Sequence, residues 1–147
     1  MKKIILVGSG KGGVGKSTVS VNLSIALSQI KKLKIGLLDA DIYGPSIPKM
    51  LDIIEKPKVN ESKKIIPYEK FGIKSMSIGN MIPSDNAIIW RGAMASSAIK
   101  QLFNDVDWGE LDYLIVDLPP GTGDIQLSLC QNFSIDGAII VSTPQEI

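Results

Sequence analysis

Nine consecutive residues, Gly10-Lys11-Gly12-Gly13-Val14-Gly15-Lys16-Ser17-Thr18, combine a run of glycines with two lysines and two hydroxyls. They fit the pattern G-x-x-x-x-G-K-S/T, with Gly10 opening it and Gly15-Lys16-Ser17 closing it. A triphosphate tail is a row of anionic oxygens, and glycines let successive backbone N–H groups turn toward it with no side chain in the way. In that arrangement Lys16 adds a positive charge toward the β- and γ-phosphates, and Ser17 offers its hydroxyl to Mg2+. A helix following the loop aims the positive end of its dipole at the same phosphates.

Such a loop has to be presented at the carboxyl end of a strand and continue into a helix. Lys3-Ile4-Ile5-Leu6-Val7 is short, apolar and rich in β-branched residues, which predicts a strand buried on both faces. From Lys16 to about Ile30, the residues Val19, Leu23, Ala26, Leu27 and Ile30 recur at steps of three and four, which predicts a helix with these residues on its buried face.

Two further apolar runs end in acids. Lys34-Ile35-Gly36-Leu37-Leu38-Asp39 leads into Asp39-Ala40-Asp41, and Tyr113-Leu114-Ile115-Val116 leads into Asp117. Both read as buried parallel strands whose carboxylates sit on the edge where open α/β sheets bind ligands. Asp117 can then hold Mg2+ through water, opposite the Ser17 hydroxyl. Leu118-Pro119-Pro120-Gly121-Thr122-Gly123-Asp124 leaves the second of these strands. Its glycines could face a γ-phosphate, or its prolines could simply make a rigid turn.

The remaining elements support this frame. Pro48 to Leu51 reads as a short helical turn, Asp52 to Ser62 as a surface excursion, and Lys63–Pro67 and Gly72–Ile78 as strands, the first peripheral. Ala93 to Phe103 reads as a helix with Met94, Ala98 and Leu102 on its packed stripe. Trp108 is expected to be half-buried in a loop, Ile125–Phe133 to be a helix, and Gly137–Ser142 another buried strand. Strands alternating with helices predict an α/β phosphate-loop (P-loop) fold, a mostly parallel sheet flanked by helices, within a single domain over 1–147.

Composition narrows the function classes. A net charge of +1 gives no reason to expect nucleic acid or an anionic membrane as partner, and Lys31, Lys32 and Lys34 read as a solvated helix end. The chain has no histidine, which excludes histidine ligands and histidine acid–base catalysis. Its one cysteine, Cys130, cannot form an internal disulfide and, beside Leu127 and Leu129, reads as a small core residue. No apolar run approaches the roughly 18 residues of a membrane span, and the opening lysines precede only a short strand, so the expected location is the cytoplasm.

With these motifs in place, the loop's extra Lys11 gives the deviant form Lys-Gly-Gly-Val-Gly-Lys-Ser-Thr, which resembles the MinD/ParA-type ATPases. Within that group four stretches resemble the Mrp/ApbC branch of iron–sulfur cluster carrier ATPases. They are Asp39 to Ser46, Trp90-Arg91-Gly92, Asp112 to Asp124, and Thr143-Pro144-Gln145-Glu146. The resemblance implies a homodimeric ATPase that binds Mg-ATP, hydrolyses it slowly and delivers clusters to iron–sulfur apoproteins. It implies that Lys11 reaches across the dimer to the partner's nucleotide, where a cation supplied in trans stabilises charge on the transferring phosphoryl.

Carried over onto matching positions, Gly10 through Thr18 bind the nucleotide, with Lys11 and Lys16 acting on phosphate. Ser17, Asp39 and Asp117 support the metal, and Asp41 orients or activates the attacking water. Asp39 and Asp41, two residues apart at one strand end, can exchange roles. Ala93 stands where the family has proline after Gly92. The family's Cys-x-x-Cys pair falls beyond the position of Ile147, and with it further strands of the sheet. Two such pairs across a dimer supply the four thiolates a cluster needs. The sequence is thus expected to be a truncated form. Two rival expectations follow: a non-enzymatic remnant that only interacts, and a MinD/ParA-type positioning ATPase.

Overall fold

The structure, a computed structural model, describes residues 2–41, 47–51, 53, 57–80, 93–121 and 124–144. Among these a six-stranded sheet runs β5-β6-β2-β7-β1-β8. Its strands are β1 (Lys3–Gly8), β2 (Ile35–Asp39), β5 (Tyr68–Lys70), β6 (Ile73–Ser77), β7 (Tyr113–Asp117) and β8 (Gly137–Ile140). Every pairing is parallel except β5 with β6. Two short strands, β3 (Lys58–Val59) and β4 (Ile65–Ile66), pair antiparallel apart from the main sheet. The helices are α1 (Lys16–Lys31), α2 (Ile47–Met50), α3 (Ala93–Asn104) and α4 (Asp124–Asn132).

Alternation along the strands divides the core into two layers, one on each face of the sheet. Val7, Ile35, Leu37, Ile73 and Ile115 pack with Val21 of α1 and with Ile47 and Leu51 at α2. Leu6, Leu38, Met76, Leu114 and Val116 face the other way, onto Ile99 and Leu102 of α3 and Leu129 of α4. Side chains such as Leu37 and Leu114, both 0% exposed, stabilise the fold by about 1.5–3 kcal/mol each relative to an exposed position. The result is a three-layer α/β/α phosphate-loop fold with a mostly parallel sheet.

Several expectations are corrected by the packing. On α1, Val19 is 37% and Ile30 74% exposed, while Lys16, Ser20, Val21 and Ser24 are the buried residues. The helix therefore turns a face inward that carries Lys16, Ser20 and Ser24 beside Val21. Trp108 is fully buried rather than half-buried, because its indole N–H donates to the Leu102 carbonyl oxygen (3.1 Å) and so carries no unpaired polar group inside.

Cys130 is exposed rather than in the core, since Leu129 occupies the inward position of α4. The buried strand expected over Gly137–Ser142 is instead an edge strand, with Ile140 69% exposed. Within the surface excursion the chain forms β3, and the Phe71-Gly72 turn adds the antiparallel β5, neither anticipated. Tyr43–Ser46, Trp90–Gly92, the Met94 side chain, Thr122-Gly123 and Gln145–Ile147 lie outside the described residues.

Candidate nucleotide site

Register assembles the site. Val7, Asp117, Asp39 and Ser77 lie side by side across β1, β7, β2 and β6 at the carboxyl ends of the strands. Asp39 shares the parity of Ile35 and Leu37, and Asp117 that of Ile115, so both carboxylates point toward the α1 layer. The glycine loop leaves the end of β1 and enters α1 directly above them. Gly13 (φ 73°) and Gly15 (φ 89°) take left-handed backbone, which glycine adopts without the Cβ penalty. Gly15 caps α1 with no side-chain hydrogen bond.

Beneath the loop, Lys16 is buried and its Nζ donates to Asp117 Oδ1 at 2.8 Å, with Asp41 Oδ2 at 3.5 Å. Ser17 Oγ donates to Asp117 Oδ2 (2.7 Å), and Ser20 Oγ lies 2.8 Å from Asp117 Oδ1. This is why the polar face of α1 is buried: one desolvated carboxylate takes three donors from a single helix turn and the residue after it. Asp39 accepts from the Ser77 hydroxyl at 2.9 Å and from the Asp41 N–H at 3.1 Å. Burial, then repulsion from the neighbouring Asp117 carboxylate and more weakly from Asp41, pushes the Asp39 carboxyl up to about 7, against those two hydrogen bonds.

A cavity of about 400 Å³ opens over this cluster, lined by Gly13, Gly15, Lys16, Ser17 and Asp41 and walled by Met50 and Pro120. A Cβ built on Gly10, Gly13 or Gly15 meets nothing within 4 Å, so the loop leaves open space beside its backbone. The donor set is all oxygen, the chemistry that suits Mg2+. No group of three or more histidine, cysteine or acidic side chains able to hold a metal occurs among the described residues, so a cation here needs phosphate or water oxygens besides the protein's. A second cavity, about 530 Å³, lies at the opposite edge beside Ile35, Ile73 and Leu111 and touches none of these carboxylates.

The structure thus brings together Lys16, Ser17, Asp39, Asp41 and Asp117, with Gly12, Gly13, Gly15 and Thr18 around the opening. Lys11 is exposed and stands outside the buried cluster; its carbonyl accepts the Ser9 hydroxyl (2.8 Å). Gly10 is exposed and Val14 half-buried. Three serines escaped the sequence reading: Ser20 and Ser77, which hold the carboxylates, and Ser9, whose carbonyl accepts the Gly121 N–H (2.8 Å) and ties the post-β7 segment to the loop. Ser20 had a signal, its spacing of four from Lys16 on one helix.

Comparison with known proteins agrees with this geometry. The family model ParA, described as NUBPL iron-transfer P-loop NTPase, matches residues 1–147. A curated relative from Arabidopsis thaliana, "Iron-sulfur protein required for NADH dehydrogenase, mitochondrial", is 55% identical over all of this chain and 47% of its own length. An "Iron-sulfur cluster carrier protein" from Aquifex aeolicus is 54% identical over all of this chain and 41% of its own. The chain therefore spans less than half the length of these relatives.

Among solved structures, a nucleotide-binding protein from Archaeoglobus fulgidus in complex with ADP superposes with a TM-score of 0.82. It is 42% identical and covers 99% of this chain and 56% of its own. MinD of Pyrococcus horikoshii, complexed with Mg-ADP, shares the fold at TM-score 0.70 and 24% identity. With its phosphate loop, its paired strand-end acids and a family match from first residue to last, the chain belongs to the ParA-type NUBPL iron-transfer P-loop NTPases.

Proposed function

We propose that residues 1–147 form a single domain that binds Mg-ATP and hydrolyses it slowly, and that this turnover governs delivery of an iron–sulfur cluster to recipient apoproteins. The observation that carries the reading is the Lys16–Ser17–Asp117 cluster beneath an open glycine loop. The backbone N–H groups of the loop and of the uncapped first turn of α1 take the phosphate oxygens, and Lys16 adds its ammonium. Ser17 would hold Mg2+, with Asp39 and Asp117 supporting it through water; the bound ion supplies charge neutralisation on the phosphates.

Asp41, at the cavity wall, orients the attacking water and takes its proton at a carboxylate oxygen. Lys11, exposed on the loop, would act on the nucleotide of a second copy in a homodimeric working form, as the resemblance implies. The cluster is cargo. One cysteine per chain cannot supply four thiolates even across a dimer, which assigns cluster ligation to the family's remaining length. The reading places this work in the cytoplasm, with neither nucleic acid nor membrane as partner; among the described residues no helix is long and apolar enough to cross a membrane.

Phosphate release tests the catalytic half of the proposal. Asp41→Asn is expected to bind Mg-ATP within about threefold of the unsubstituted chain while releasing phosphate at least about a hundredfold more slowly. Equal turnover in the two proteins would remove Asp41 from the mechanism.

A further inference from the structure

Among the described residues three side chains donate to the Asp117 carboxylate: Lys16 to Oδ1 at 2.8 Å, Ser20 to Oδ1 at 2.8 Å, and Ser17 to Oδ2 at 2.7 Å. Two of them have another task when nucleotide binds. Lys16 must turn to phosphate and Ser17 to the metal, and each then leaves the carboxylate. Ser20 does not share that fate. It is 0% exposed, one helical turn past Lys16, and among the described residues its other acceptor is the Lys16 carbonyl oxygen at 3.2 Å. With one proton to give, its hydroxyl favours the closer, ionised acceptor.

We infer that Ser20 is a positioning residue of the nucleotide site, holding the Asp117 carboxylate in place when Lys16 and Ser17 move from it to phosphate and metal. This inference rests on the nucleotide reading above and extends it to a residue outside the loop motif. In the nucleotide-free protein the Ser20 hydroxyl is one donor of three, so its loss is cushioned by the other two. In the Mg-nucleotide complex it is the one of the three still on Asp117, and without it the carboxylate can rotate away from the water that links it to the ion. The cost of losing Ser20 therefore appears in the metal-dependent part of nucleotide affinity and not in the part the loop supplies.

Ser24 provides the control. It is also 0% exposed on the same face of α1, and its hydroxyl donates to the Ser20 carbonyl oxygen (2.7 Å) rather than to a carboxylate. The test is equilibrium titration of the full 147-residue chain with ATP, in Mg2+ and again in EDTA. It is run on the unsubstituted protein and on Ser20→Ala, Ser20→Cys and Ser24→Ala. Cysteine keeps the side chain's size but donates weakly, so it reports the same loss if the alanine variant fails to fold.

The affinity ratio between Mg2+ and EDTA is expected to fall about tenfold in both Ser20 variants, with binding in EDTA unchanged within about twofold and the Ser24→Ala ratio unaltered. A Ser20 variant that keeps the full ratio overturns the inference, as does a Ser24→Ala loss of equal size. An unsubstituted chain that binds ATP in neither buffer overturns the nucleotide reading itself. Binding with an unchanged ratio removes only the role of Ser20.

Discussion

Lys16 Nζ lies 2.8 Å from Asp117 Oδ1 with both side chains buried, an ion pair beneath the glycine loop. Breaking such a pair strands a charge away from water, at about 3–5 kcal/mol. Here Asp41 Oδ2, 3.5 Å from the ammonium, offsets part of the loss. Asp117→Asn is therefore expected to lower the stability of the nucleotide-free protein by about 3 kcal/mol, the low end of that range. Urea unfolding monitored by circular dichroism measures it, and an unshifted midpoint would show that the pair contributes nothing net.

Asp39 sets a pH dependence. Its carboxyl titrates at about 7 in the folded protein and near 3.8 when unfolded. Between those values the folded state holds the extra proton, so Asp39 makes stability fall as pH rises through that window, with the full penalty present above about 7. Comparing unfolding midpoints at pH 4.5 and 8 in metal-free buffer, Asp39→Asn should lose less stability across the interval than the unsubstituted chain. A larger loss in the variant would reverse the assigned sign.

The loop can be tested without touching a charge. At Gly15, φ of 89° means that an added methyl group strains the backbone even though the space around it is open. Gly15→Ala is expected to destabilise by about 1–2 kcal/mol. Gly10→Ala also has open space and lacks a positive φ, so it should change stability by less than about 0.5 kcal/mol. Thermal melts of the two variants side by side separate backbone strain from crowding.

The frame of the candidate site was legible because its signals are local. Gly10 to Ser17 form a contiguous pattern, and apolar runs ending in Asp39 and Asp117 announce strand ends. Neither signal reveals that Asp39 and Asp117 are register partners, which depends on β2 and β7 being neighbours in the sheet. The helical periodicity of α1 misled because burial there follows hydrogen bonding: Ser20 goes inward to Asp117 and Ser24 to the Ser20 carbonyl oxygen, while Val19 and Ile30 are exposed. Likewise Gly137-Ala138-Ile139-Ile140 has the composition of a central strand, while among the described residues it pairs with β1 alone.

The central claim is a working phosphate site on this chain, and the most direct measurement is calorimetric titration of residues 1–147 with ATP in Mg2+, beside Lys16→Ala confirmed as folded by circular dichroism. The account predicts saturable binding by the unsubstituted chain and a loss of at least about a hundredfold in the variant. Equal binding by the two proteins would contradict it.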